Sequence, residues 1–324
     1  MGRIFSVFLL ILIIGGGFYF LRSKSPAVES PIPKVFGSTT NRVVNKHSFS
    51  ANKWFPKVNR SNFGSENLSL NLSAKSALVV NYDTGEIIFQ KNISQRLPVA
   101  STVKIMTALA TLENVKLTDT FAVSEKAEKV GENSMGLTQG EKLTLKELLY
   151  GLMLVSGNDA AVTIAEGVSG SEDSFVRLMN EKSESLGLKN TKFINASGLD
   201  DGDKTQYSTA YDMSVIAHYV WENYPVFRQI TSTEHEYIDA NYNHKAFDLY
   251  NDTNLLTTYP GVRGIKPGFT PEAGLCLVTY AENDGKKLIA VILASDDRRG
   301  EMKELLDYGF DYYGIKVSHP ALDL

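Results

Sequence analysis

The 324-residue chain holds a single cysteine, Cys276, and only five histidines: His47, His218, His235, His244 and His319. One thiol excludes an intrachain disulfide, a cysteine-held zinc finger and an iron–sulfur cluster. The histidines form no HExxH pair, so each reads as a surface or satisfied core residue and no metal site is expected. A basic surplus is missing as well. Lys and Arg number 33 against 37 Asp and Glu, a formal net charge of −4, which argues against nucleic acid as a partner. Apolar residues are not scarce, at 43%, so disorder of the whole chain is excluded and a sizeable core can be buried. No internal repeat is visible.

What is present begins with an uncharged run, Ile4 to Leu21, IFSVFLLILIIGGGFYFL. It reaches the lower length limit of a membrane-spanning helix. Downstream stands Arg22-Ser23-Lys24-Ser25-Pro26 rather than a small-x-small cleavage pattern, so residues 1–22 read as an uncleaved anchor rather than a removed signal. Arg3 on one side and Arg22 and Lys24 on the other leave orientation undecided by charge. Residues 23–73 are polar, rich in Ser, Asn, Pro and Lys, and without steady period. They read as a flexible tether, with Trp54, Phe55 and Phe63 as exceptions that either pack on the domain or stand exposed.

A folded domain is expected over 74–318, followed by a short tail, 319–324. Ser76–Tyr82 and Glu86–Lys91 read as strands joined at Asp83-Thr84-Gly85. Apolar spacing of three and four predicts helices over Thr102–Asn114, Leu145–Val155, Ala160–Val168, Ser171–Leu186 and Ser208–Asn223, with Pro225 as a stop. Gly274–Glu282 and Lys286–Ser295 flank Asn283-Asp284-Gly285, a second hairpin signal, and Arg298–Tyr313 reads as a closing helix. Strands at both ends with helices between them predict an α/β (α+β) fold. Its largely antiparallel sheet draws strands from both termini and is covered by helices, with a helical subdomain. Cys276 falls on a buried strand as a small core residue.

Three short motifs carry candidate chemistry. In Ser101-Thr102-Val103-Lys104 a helix places Ser101 and Lys104 on one face, with Ser101 where backbone N–H groups favour an anion. A serine hydroxyl needs a base to become nucleophilic, and a lysine can be that base only if burial or a nearby cation lowers its pKa. A second copy, Ser50-Ala51-Asn52-Lys53, has no helix behind it and reads as chance. Ser156-Gly157-Asn158 stands between two helices. On its own it reads as a helix terminus at Gly157 with Asn158 or Asp159 capping the next helix. Such a corner can also hold a proton-relaying hydroxyl and a substrate-holding amide. Lys266-Pro267-Gly268 reads either as an edge-strand lysine before a Pro-Gly turn or as a fixed cation that attracts a substrate carboxylate and keeps Lys104 neutral. In that second reading Gly268 lets a substrate backbone lie close.

The order and rough spacing of the three motifs resemble the serine penicillin-recognising enzymes, with their Ser-x-x-Lys, Ser-x-Asn and Lys-Thr-Gly signatures. The chain most resembles the low-molecular-mass D-alanyl-D-alanine carboxypeptidases, the penicillin-binding protein 5-like family. LPVASTVKIMTAL, LVSGNDAAVTIAEGVSGS, LKNTKFINASGLDD, YSTAYDMSVIAHY and GIKPGFTPEAGLCLV all look like family segments, from about Leu72 to about Gly314. The resemblance implies a β-lactamase/transpeptidase-like fold and a serine peptidase without metal or organic cofactor. The implied partners are peptidoglycan stem peptides ending in D-Ala-D-Ala, with β-lactam antibiotics as covalent inhibitors, at the outer side of a cell membrane. It implies Ser101 as nucleophile, Lys104 as general base, Ser156 and Asn158 as relay and substrate-holding residues, and Lys266 as carboxylate binder. The backbone N–H groups of Ser101 and Phe269 are the implied oxyanion hole.

Pro267 departs from the family's threonine and removes a hydroxyl and an N–H. Thr270 is the expected source of a nearby hydroxyl. Alternatives on the same scaffold are a β-lactamase, a DD-endopeptidase or a transpeptidase. The Glu-x-x-Leu-Asn string of class A β-lactamases is absent. A non-catalytic cell-wall-binding protein is the alternative from another class.

Overall fold

The structure, a computed structural model, describes residues 54–58, 70–202 and 205–319. The expected anchor at 4–21, Phe63 and the tail beyond His319 lie outside the described residues. Among those described, no helix is long and apolar enough to cross a membrane.

In chain order the strands are β1 (Ser76–Asn81), β2 (Ile87–Lys91), β3 (Thr120–Ala122), β4 (Lys142–Thr144), β5 (His235–Ile238), β6 (Phe247–Tyr250), β7 (Val262–Thr270), β8 (Gly274–Asn283) and β9 (Lys286–Ser295). The helices are α1 (Lys104–Asn114), α2 (Glu125–Glu128), α3 (Leu145–Leu154), α4 (Asn158–Ser169), α5 (Glu172–Ser185), α6 (Ala210–Asn223), α7 (Pro225–Thr231) and α8 (Arg298–Asp311). A 3-10 turn at Ala100–Val103 leads into α1.

Five strands form one sheet in the order β2-β1-β9-β8-β7, every pairing antiparallel. The unbroken apolar runs of β1, β8 and β9 follow from burial on both faces. Leu78, Val80, Val278, Ile289 and Val291 join a core shared with the central helices. Their neighbours Ala77, Val79, Leu277, Leu288 and Ile292 face Met302, Leu305, Leu306 and Phe310 of α8. The expected antiparallel, helix-covered sheet is therefore present.

Side-chain caps set where the helices start. Thr144 and Glu147 form a capping box at α3, Thr209 caps α6, and Asp297 caps α8. Pro225, expected as a stop, instead begins α7 in the first turn, where its missing N–H costs nothing.

Two stretches within or beside residues 23–73 pack on the domain, the first at Trp54 and Phe55, which follow the packed alternative. Lys57 bridges to Glu86 beside β2, its N–H donating to Gly85 O at 2.7 Å, and Trp54 stacks on His218 with centroids 4.0 Å apart. Further along, Ser73 and Ala74 donate their N–H groups to the carboxylate of Glu301, and Leu72 is buried. Apolar anchors at Trp54, Phe55 and Leu72 override the polar composition around them.

Candidate active site

The three motifs converge from the start of α1, the α3–α4 corner and β7. Ser101 lies in the 3-10 turn and Lys104 opens α1. In 3-10 geometry residues three apart eclipse one another, and Lys104 Nζ lies 3.0 Å from Ser101 Oγ. Ala100, just before the serine, has φ 46°, a left-handed conformation that the surroundings must hold in place.

Lys104 is fully buried. It also donates to Asn158 Oδ1 at 2.8 Å and to the carbonyl of Ser197. Burial, and next the charge of Lys266, hold its amine well below the ordinary lysine value.

At the α3–α4 corner the left-handed residue is Ser156, φ 59°, and Gly157 is the N-cap of α4. The expectation of Gly157 as terminator with Asn158 or Asp159 as cap is thus replaced. Both of those residues sit inside the first turn of α4. Asn158 Nδ2 donates to Gly131 O at 3.1 Å, so its amide is clamped between that carbonyl and Lys104. Asp159, also buried, accepts from the N–H groups of Met135, Gly136 and Leu137 and fixes the loop facing the corner.

β7 is an edge strand of the sheet, which is why a proline is tolerated within it. Lys266 is fully buried and lies 3.2 Å from Asp252 Oδ1. Burial lowers its pKa and Asp252 opposes that shift. Gly268 has a packing reason beside the one expected. A Cβ there would stand 3.0 Å from Ser101 N and 3.1 Å from Thr102 N, so the bare backbone lets β7 press on the serine's own turn. Phe269 exposes its ring and pairs with Leu275.

Thr270 does not offer a free hydroxyl. It donates to Asp200 Oδ1 at 2.9 Å and accepts from Ala273 N, tying β7 to the loop at 195–200.

Sequence reasoning missed Ser197, Gly198, Asp252, Asp159 and Arg298. Arg298 Nη1 donates to Gly268 O at 2.9 Å and its Nε to Asn254 Oδ1, bracing β7 from α8. Ser197 and Gly198 carried a signal inside the segment LKNTKFINASGLDD, and Asp159 inside LVSGNDAAVTIAEGVSGS, where it was read only as a helix cap; Asp252 and Arg298 carried none.

The family model for D-alanyl-D-alanine carboxypeptidases, peptidase family S11, matches residues 63–297. The chain belongs to this family. It is 39% identical over 255 residues to the D-alanyl-D-alanine carboxypeptidase DacF of Bacillus subtilis, covering 76% of this chain and 64% of that one. It is 33% identical to DacB2 of Mycobacterium tuberculosis over 73% of this chain and 82% of the relative. The crystal structure of the Streptomyces K15 DD-transpeptidase superposes with a TM-score of 0.70 at 31% identity, covering 75% of this chain and 98% of that one. A cefotaxime-bound penicillin-binding protein D2 from Listeria monocytogenes gives 0.67 at 28% identity, over 74% and 98%. The fold is therefore the β-lactamase-like fold of the DD-peptidases.

Proposed function

We propose that the chain is a serine-type D-Ala-D-Ala carboxypeptidase that trims peptidoglycan stem peptides through an acyl-enzyme on Ser101. The carrying observation is the set of partners around Lys104 Nζ: one hydroxyl, one amide oxygen and one carbonyl, all neutral. A neutral amine has two N–H donors and one lone pair. The donors satisfy Asn158 Oδ1 and Ser197 O, which leaves the lone pair to accept the Ser101 proton.

Ser101 Oγ attacks the carbonyl between the last two D-alanines as its proton passes to Lys104. The oxyanion is held by the N–H groups of Ser101 and Phe269, each such donor being worth about 2.7–4 kcal/mol. Collapse expels the D-alanine nitrogen, which takes the proton from Lys104 through Ser156. Water then attacks the ester, Lys104 takes its proton, and Ser101 recovers its own. Lys266 binds the terminal carboxylate and Asn158 orients the stem peptide backbone. The domain works outside the cell, held by an anchor at residues 4–21, where its substrate lies.

Release of free D-alanine from a D-Ala-D-Ala tripeptide tests the reaction. A fluorescent penicillin should label the wild type covalently and not Ser101→Ala. Equal labelling of that variant would refute the nucleophile, and rapid turnover of the penicillin would favour a β-lactamase.

A further inference from the structure

Among the described residues only six large hydrophobic side chains are exposed, and three of them, Tyr237, Tyr242 and Tyr250, belong to one hairpin, β5–β6. Its two faces differ sharply. Ile238, Phe247 and Leu249 are buried against the core that includes α3. The outward face carries His235, Tyr237, Asp248 and Tyr250, and no aliphatic side chain larger than alanine points outward anywhere on the hairpin. His235 pairs with Tyr250 across the strands and Tyr237 with Asp248, so the two tyrosines sit diagonally on one face, about 7–8 Å apart.

The platform is held rigid. The His235 ring stacks on Tyr250 with centroids 4.3 Å apart, and its Nε2 bonds Asp248. The hairpin tip is pinned by Asn243 O, which accepts from Lys142 N at 3.1 Å, and by Lys245 Nζ, which donates to Thr138 Oγ1 at 2.7 Å.

β6 runs straight into the candidate active site. Tyr250 is followed by Asn251, whose amide donates to Thr231 O and Thr233 O, and then by Asp252, the partner of Lys266. The Cα atoms of Tyr250 and Asp252 are therefore no more than about 7 Å apart.

We infer that this hairpin face binds the glycan strand of peptidoglycan, the polymer from which the stem peptides hang. The inference rests on the proposed substrate. A sugar ring offers a flat C–H face and a rim of hydroxyls. Planar tyrosines set among His235, Asp239, Asn241 and Asp248 match both, since an aromatic ring gives apolar contact with a polar handle at little entropic cost. Exposed tyrosines also anchor protein interfaces, so a protein is the rival occupant. What favours the glycan is that this face leads along β6 to Asp252 and Lys266, where the proposed substrate's stem peptide is bound.

The test uses the full chain in detergent, as wild type, as Tyr237→Ala/Tyr250→Ala and as the ring-retaining Tyr250→Phe. The first probe is peptidoglycan glycan stripped of stem peptides by an amidase and immobilised on beads, assayed by pull-down. The second is a soluble β-1,4-linked N-acetylglucosamine oligomer. The double alanine variant should lose affinity for both by roughly ten-fold or more. Tyr250→Phe should keep most of it, and all three proteins should release D-alanine from the soluble tripeptide at similar rates. Unchanged retention of the double variant on stripped glycan overturns the inference, as does wild-type binding that requires stem peptides. A wild type that releases no D-alanine sinks the catalytic reading instead, while glycan retention is scored independently.

Discussion

Lys104 and Lys266 are both fully buried, yet of the two only Lys266 touches a carboxylate, Asp252 at 3.2 Å. Burial disfavours charge on each. Asp252 opposes that shift at Lys266, and the charge of Lys266 in turn adds to the lowering at Lys104. On the proposed mechanism, the same low-dielectric surroundings divide the two lysines into a base, Lys104, and a cation, Lys266.

This division fixes a pH dependence. On the proposed mechanism penicillin acylation of Ser101 needs the neutral Lys104 amine, so its rate should rise with pH and level off well below the ordinary lysine value of 10.5. Because the Lys266 charge helps depress Lys104, Lys266→Gln should move that rising limb to higher pH. Acylation rates between pH 5 and 10 would show it, and a limb that stays in place or moves toward acid would break the proposed coupling.

Gly268→Ala would set a Cβ against the backbone of Ser101 and Thr102. Overpacking of this kind costs about 1–3 kcal/mol, and a displacement of about 1 Å at a reacting group can cost about 100-fold in rate. The expected result is a far larger loss of acylation rate than of folded protein at 25 °C, read by stopped-flow penicillin binding beside thermal melting. A variant that acylates at the wild-type rate would show that the turn yields freely.

Restoring the family's residue, Pro267→Thr, returns a hydroxyl next to Lys266. One hydrogen bond to a charged group contributes about 1.5–3 kcal/mol. KM for the D-Ala-D-Ala tripeptide should therefore fall by about ten-fold while kcat changes little. No change in KM would mean that the position does not meet the substrate.

His218, half-buried between Trp54 and Tyr82, is lowered by burial to about 4 from 6.5. The unfolded chain takes up a proton near 6.5 and the folded chain does not until near 4. Stability is therefore fully present above about 6.5 and drains away as pH falls toward 4, by on the order of 3 kcal/mol. Trp54→Ala uncovers the imidazole and should flatten this acid limb in melting curves taken from pH 7 to pH 4. An unchanged limb would assign the acid sensitivity elsewhere.

The hairpins at Asp83-Thr84-Gly85 and Asn283-Asp284-Gly285 were legible because turn residues stand between long apolar runs. β7 was half-hidden. Its sequence, VRGIKPGFT, mixes glycine, proline and a buried lysine that only its neighbours make tolerable. β3 to β6 span three or four residues each, too short for a period to show. The Ser101–Lys104 pair was legible because its spacing is local. Asp252 and Arg298 reach Lys266 and Gly268 across 14 and 30 positions, and a lone acidic or basic residue carries no mark of such a partner.

Gly198, with φ +91°, would place a Cβ 2.2 Å from Ala100 O, just as Gly268 would crowd Ser101 from β7. The serine's turn is thus gripped by two segments remote from it in the chain. If Ser101 is the proposed nucleophile, a half-assembled molecule lacking either jaw should carry an ordinary unreactive hydroxyl at position 101. Penicillin labelling then doubles as a conformational gauge: the fraction of chains that take the label counts those that have finished folding.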